Sequence, residues 1–454
     1  MNILGALPLT PAPDPFTTCI RFAGLPYLLF LDSSAQGALS RYSFLTADPV
    51  AVVRTPEAAR ELLGDHTAPR ALPGLPPFQT GIAGYIGYEW GAALEGVPCP
   101  EPDVLLAQYD WVIAWDHLEA RAWLITRGAT QQASSRAAWV RDRLTAPTPP
   151  PPLPPAMRDH PIPAPTPPLS NFARDEYEAA VARIRDYIGA GDVYQVNLAQ
   201  RFHAPFAGPG LALYRRLRAR NPAPFGGYLE FAGSTIASIS PERFLRIDAA
   251  TRTVEARPIK GTRPRGATAT RDAALAAELL ASEKDRAENV MIVDLLRNDL
   301  GKVCRPGSVR VPRLYALESH PTVHHLVSTV TGDLADGMDA FDVLRAAFPG
   351  GSVTGAPKIR AMEIIAELER APRGIYCGAI GYISTTGAMD FNIPIRTIVI
   401  RDGAATFHAG AGIVWDSDPA SEYEETLAKA CTMIEALTSP RKRPRTHDPA
   451  HLRA

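Results

Sequence analysis

GAIGYISTTGAMDFNIPIRTIVIRDGAATFHAGAGIVW, residues 378–415, is the stretch whose reading decides the fold. GAIGYISTT, IPIRTIVIRDG and ATFHAGAGIVW each read as a strand, and no helical segment separates them. YLEFAGSTIASIS (228–240) and VHHLVSTVTGDL (323–334) are further strand candidates. Strands that do not alternate with helices argue against a doubly wound parallel sheet. They predict large antiparallel or mixed sheets with helices packed outside.

The same pattern extends towards the N-terminus. YLLFLDSS, RYSFLTADPVAVVR and WVIAWDHLEARAWLITR are short β-like runs, and glycines punctuate GIAGYIGYEWG. Helices are predicted in two places. Residues 175–190 set Tyr177, Val181, Ile184 and Ile188 on one face and end at glycine, and 271–297 reads as a long helix or a broken pair. Residues 146–169, APTPPPPLPPAMRDHPIPAPTPPL, predict an extended proline-rich linker. It separates an N-terminal region, 1–145, that shares the core in part, from a C-terminal region, 170–438. The basic, proline-broken residues 439–454 predict a disordered tail.

Composition excludes several function classes. The chain has 454 residues, 46% apolar and 21% charged, with a formal net charge of −1. That balance is ordinary for a globular protein and argues against nucleic acid or a membrane surface as partner. Cys19, Cys99, Cys304, Cys377 and Cys431 are scattered and form no Cys-x-x-Cys, which speaks against a disulfide framework or zinc site. With no signal peptide and no apolar run long enough to span a bilayer, a cytoplasmic protein is expected.

Four segments carry candidate chemistry. RPIKGTRPRG (257–266) holds four cations in ten residues, and Lys260 reads either as part of a solvated basic turn or as an amine aimed into a pocket. Asp285 and Glu288, like Glu422 and Glu425, are three apart, which places each pair on one helical face. Two such faces brought together would suit magnesium, which uses one or two carboxylates with water and substrate oxygens. PGGSVTGAPK, from Pro349, is a glycine-rich loop opening a helix. Thr354 and the backbone there could hold an anion with Lys358 beside it, although the order is not that of a P-loop. Arg396 falls in an apolar strand, where a buried guanidinium needs a partner such as a carboxylate, and His324 and His325 should face opposite ways.

GDVYQVNLAQRF, SPERFL, RPIKGTRPRG, AENVMIVDLLRNDLG, PGGSVTGAPK, YCGAIGYIS, IPIRT and AGAGIVWDSDPASEYEET together resemble, in order, the motifs of the chorismate-utilising enzymes. That family comprises anthranilate synthase component I, aminodeoxychorismate synthase component I, isochorismate synthase and salicylate synthase. The resemblance spans roughly residues 170–436, with RYSFLTADP and GYIGYE similar to the family's N-terminal region. It implies an α+β fold like anthranilate synthase component I, with two large, mostly antiparallel β-sheets packed as a sandwich and helices outside.

It also implies roles. Glu288 and Glu425 would be magnesium ligands, with Asp285, where many relatives carry glutamate, and Glu422 as neighbours acting through water. Thr354, the Gly355-Ala356 backbone and Lys358 would help hold chorismate. Tyr376, Arg396 and the backbone of Gly410-Ala411-Gly412 would take its enolpyruvyl carboxylate, while Thr262 and His325 fall near the substrate. Gln195 stands where water-using relatives carry a lysine base; glutamine cannot deprotonate water, which disfavours that branch. Many aminodeoxychorismate synthases read Pro-Ile-Lys-Gly-Thr, as here, where anthranilate synthases usually read Pro-Ile-Ala-Gly-Thr. Lys260 would then be a nucleophile, made neutral by burial and by magnesium or Arg263, and Glu242 the acid that protonates the departing hydroxyl. No glutaminase arrangement is present, so ammonia is expected from a separate glutamine amidotransferase subunit. YLLFLDSS and RYSFL resemble segments that hold tryptophan in relatives. Anthranilate synthase component I is the rival assignment within the family, and a non-catalytic chorismate- or tryptophan-binding regulatory subunit the rival outside it.

Overall fold

The computed structural model describes residues 3–35, 37–64, 71–128, 130–146, 167–231, 233–319 and 323–438. Apart from Ala146 and residues 167–169, the predicted linker lies outside them, as does the predicted tail.

Among the described residues every named strand pairing is antiparallel, and the strands form two sheets of twelve and ten. The first runs Ile3–Leu9, Arg121–Gly128, Trp111–Asp116, Tyr42–Thr46, Leu28–Asp32, Phe225–Phe231, Ser234–Ser240, Thr397–Arg401, Ala404–Ile413, Gln195–Pro205 and Gly355–Ala356, with Leu169–Ser170 beside Gln195–Pro205. The second runs Ile259–Pro264, Val323–Asp333, Thr253–Ala256, Arg243–Ile247, Met389–Asn392, Ala379–Ser384, Gly81–Ile86, Val104–Tyr109 and Ala51–Val53, with Arg310–Ser319 beside Val323–Asp333. Leu28–Asp32 pairs with Phe225–Phe231, and Gly81–Ile86 with Ala379–Ser384, so strands from before the linker sit inside both sheets.

Side-chain alternation sets the layers. Trp111, Ile113 and Trp115 join the core under the outer helices of the first sheet, whereas Val112 and Ala114 join the core between the sheets. Tyr85 and Ala83 of the second sheet meet that middle layer from the other side, and Ile82 and Ile86 face its own helices. Burying each large apolar side chain contributes roughly 1.5–3 kcal/mol, so a one-residue slip, which exchanges the two faces, is strongly disfavoured. The architecture is α+β, two antiparallel sheets face to face with helices outside.

The predicted helix at 175–190 spans Arg174–Ala190, buries Tyr177, Val181 and Ile184, and stops at Gly191 in the left-handed region (φ 83°). The segment 271–297 is the broken pair. Ala269–Ala281 and Glu283–Gly301 meet at Ser282, whose hydroxyl accepts the Asp285 N–H and caps the second helix. Among the described residues no helix is long and apolar enough to cross a membrane, and no cysteine is in a disulfide.

Candidate active site

The chain passes between the two sheets at two adjacent places. Ser240-Pro241-Glu242 links Ser234–Ser240 to Arg243–Ile247, and residues 393–396 link Met389–Asn392 to Thr397–Arg401. The Ser240 hydroxyl donates to the Ile393 carbonyl at 2.6 Å, and Ile393 N–H donates to the Glu242 carbonyl at 3.1 Å, so the crossings brace each other. A cavity of about 560 Å³ opens beside them, within the size range of a small-molecule site.

Lys260 reaches this cavity from a distorted strand. The pairing of Ile259–Pro264 with Val323–Asp333 shifts register between Ile259 and Thr262, and Gly261 adopts φ 80°. A bulge of this kind re-aims a side chain, and only glycine adopts that backbone angle without strain. Asp285 Cβ would stand 2.9 Å from any Cβ at 261, so the glycine also lets the helix approach closely. Among the described residues no carboxylate lies within 4.0 Å of the Lys260 amine. Burial pushes its pKa down; Glu288 opposes that, the Lys429 cation adds to it, and Glu242 and Glu425 oppose it in turn. The net direction is downward. Arg263, expected to help, is instead paired with Glu278 at 2.7 Å and Asp285 at 3.1 Å.

Glu242 faces the same space. Burial pushes its carboxyl up to about 7, against the pull of the Ser352 hydroxyl, Lys260, the Ile259 backbone and Lys429. The Ser352 hydroxyl donates to its Oε1 at 2.7 Å. A carboxyl held near neutrality can give up a proton at physiological pH.

The two predicted carboxylate pairs come together from the first turns of Glu283–Gly301 and Pro419–Thr438. Glu288 is shielded, its pKa raised by burial, lowered by Lys260 and Lys284, and raised again by Asp285 and Glu425. Asp285 is held by Arg263, and Glu422 accepts the Ser417 hydroxyl at 2.6 Å. Glu425 is paired with Lys429 at 2.6 Å. Among the described residues no three acidic, histidine or cysteine side chains converge into a preformed metal site. The donor set still fits magnesium, because Glu288 and Glu425 repel each other across the cavity and two carboxylates suffice when water and substrate supply the rest.

Arg396, Tyr376, Gly410 and Gly412 line the same cavity, and the Lys429 amine joins the Gly410 carbonyl, at 3.0 Å, to Glu425. Arg396 lies in the crossing before its strand rather than within the strand. It adopts φ 51°, uncommon for a non-glycine residue, and its guanidinium has no hydrogen bond or ion pair with the described residues. Shielding a cation from water without a partner is costly, so this half-buried guanidinium could receive an anion. Thr262 and His325 line the cavity and bond each other at 2.9 Å, while His324 points away to Asp272 at 3.0 Å.

Six expected residues do not line it. Lys358 is turned away from the cavity, its amine donating to Asp299 at 2.6 Å and to the Ala347 carbonyl at 2.7 Å. Thr354 is fully buried and donates to the Gly350 carbonyl, and Gly355-Ala356 form a two-residue strand against Gln195 and Val196. Ala411 alternates onto the opposite face, into the core beneath Arg174–Ala190. Gln195 is buried with neither amide atom hydrogen-bonded, behind Gly412. Conversely, Asn197, Ser352, His408 and Lys429 line the cavity without having been expected there. Lys429 had a legible signal, one helical turn beyond Glu425. Leu31, Asp32, Tyr42 and Phe44, in the segments linked with tryptophan, line a small cavity of about 70 Å³.

A family model described as chorismate binding enzyme matches residues 28–435. The chain belongs to this family. Among chorismate binding enzymes, it is 42% identical to aminodeoxychorismate synthase component 1 of Escherichia coli, over 80% of this chain and 78% of that one. It is equally 42% identical to anthranilate synthase component 1 of Streptomyces coelicolor, over 94% and 87%. The solved anthranilate synthase component I from Streptococcus pneumoniae superposes with a TM-score of 0.76 at 32% identity, covering 89% of this chain and 93% of that one. The fold is therefore that of anthranilate synthase component I. Both kinds of relative are similar to the same extent, so overall likeness does not choose between them.

Proposed function

We propose that this chain is component I of an aminodeoxychorismate synthase, joining ammonia to chorismate to give 4-amino-4-deoxychorismate. The observation that carries the reading is the Lys260 amine, half-buried in the cavity with no ion pair among the described residues, beside a carboxyl, Glu242, that burial pushes up to about 7.

The substrate is a dianion. Arg396, with Tyr376 and the Gly410 and Gly412 backbone, would receive the enolpyruvyl carboxylate, leaving the ring towards Lys260 and His325. Neutral Lys260 bonds to ring carbon 2, both ring double bonds shift, and the hydroxyl leaves carbon 4 as water with the Glu242 proton. Ammonia then bonds to carbon 4, the double bonds return and expel Lys260 from carbon 2 as the neutral amine, and the new ammonium gives a proton back to Glu242. The net change is replacement of hydroxyl by amine with loss of one water. Glu288 and Glu425 would hold magnesium, with Asp285 and Glu422 reaching it through water. Magnesium there would polarise the ring carboxylate and neutralise the carboxylates that otherwise favour a charged Lys260. The relatives' designation as component 1 supports a partner subunit, and a glutamine amidotransferase would supply the ammonia.

Anthranilate synthase component I is the second reading, favoured by relatives of that name at the same identity. Product identity tests the choice. Purified protein with chorismate, magnesium and ammonium is analysed by chromatography and mass detection, with and without aminodeoxychorismate lyase. p-Aminobenzoate that appears only with the lyase supports the proposal. Anthranilate formed without the lyase overturns it.

A further inference from the structure

Arg373 follows the helix Lys358–Leu368 and does not touch the cavity, yet it holds several parts of its wall. Its guanidinium is almost fully buried, paired through Nε and Nη2 with Glu369 at 2.9 and 2.6 Å. Nη1 donates to the Val353 carbonyl at 2.9 Å and Nη2 to the Asn197 carbonyl at 2.8 Å. Glu369 also accepts the Ala199 N–H at 2.8 Å. The rings of Tyr88 and Tyr376 lie 4.5 and 5.8 Å from the cation.

The two gripped carbonyls flank one functional contact. Asn197 Nδ2 donates to the Ser352 carbonyl at 3.1 Å, and Val353 is the next residue of the glycine-rich loop. Ser352 is the hydroxyl that donates to Glu242 Oε1 at 2.7 Å. Stability alone does not explain the buried pair, since well-packed apolar residues often serve as well or better. A rigid bracket between separate elements does.

We propose that the Arg373–Glu369 pair is a positioning device: by gripping the main chain of Asn197 and Val353, it holds the Ser352 hydroxyl against Glu242. This rests on the reading of Glu242 as the proton donor. Arg373 acts through Ser352 and touches no substrate.

The test is the pH–rate profile of ammonia-dependent chorismate consumption, which reads either amino product. Glu242 must be protonated to act, so its titration forms the basic limb. The Ser352 hydrogen bond favours the carboxylate, and Ser352→Ala is expected to move that limb up by about one pH unit. Arg373→Met is expected to reproduce the shift, Arg373→Lys to restore part of it, and Arg373→Met with Ser352→Ala to add nothing further. An unmoved limb in Arg373→Met beside a moved one in Ser352→Ala overturns the proposal, as do shifts that add in the double variant. If Arg373→Met does not fold, Glu369→Gln is judged by the same outcomes. An unmoved limb in Ser352→Ala overturns the role of Glu242, and the proposal with it; that result is distinct from a failure of the bracket alone.

Discussion

Replacing Glu242 by glutamine separates a catalytic role from a structural one, because the two effects run in opposite directions. The side chain is 5% exposed, and burial raises its pKa from an ordinary 4.5 to about 7. A carboxyl with a higher folded than unfolded pKa holds its proton more tightly in the folded chain. Its contribution is fully present below pH 4.5, fades as pH rises to about 7, and is gone above that. The difference of about 2.5 units corresponds to roughly 3 kcal/mol. Glutamine is neutral throughout and keeps the Ser352 hydroxyl as a partner. Glu242→Gln is therefore expected to match the wild type in urea unfolding near pH 4.5 and to exceed it at pH 8.5 by up to about 3 kcal/mol. Its turnover should fall about 10²–10⁴-fold, the usual cost of losing a positioned proton donor. Equal loss of stability with pH in both proteins would refute the buried-acid argument, and a variant that keeps more than about a tenth of the rate would refute the acid role.

Lys260→Ala is expected to lower aminodeoxychorismate formation by about 10³-fold or more, and Lys260→Arg should not restore it, since a guanidinium stays charged and is a poor nucleophile; steady-state rates with ammonium check this. Glu288→Gln and Glu425→Gln should each raise the magnesium concentration for half-maximal rate by about tenfold or more, and Glu422→Gln, already bonded to Ser417, by less; a metal titration of the rate decides. Lys358→Met removes one of the two cations on the buried Asp299 and leaves only the exposed Lys302 amine at 3.2 Å, so it should destabilise the fold by about 1.5–3 kcal/mol while leaving the KM for chorismate near the wild-type value; urea unfolding with Michaelis kinetics tests both halves.

Residues 378–415 were legible as consecutive strands because alternation is local and repeats every two residues. The paired helices at 271–297 were legible because their apolar faces recur every turn. Lys260 and the carboxylates at 285, 288, 422 and 425 could be singled out because spacing is local too, Glu242 only through the resemblance of its Ser-Pro-Glu motif to the family, and all six do line one cavity. Lys358 was misplaced for a physical reason. A lysine at the start of a helix can swing towards the loop or towards the helix behind it, and Asp299 lies 59 residues earlier in the chain. Arg373 was invisible for the same reason, since its worth lies in carbonyls of residues 197 and 353 that no spacing rule connects to it. By itself, then, the sequence determined the strand pattern and which residue types could carry the chemistry. Only the tertiary structure decided which of those side chains share a cavity, which are neutralised by a distant partner, and how far burial moves a proton, because burial and charge pairing depend on distances through space rather than along the chain.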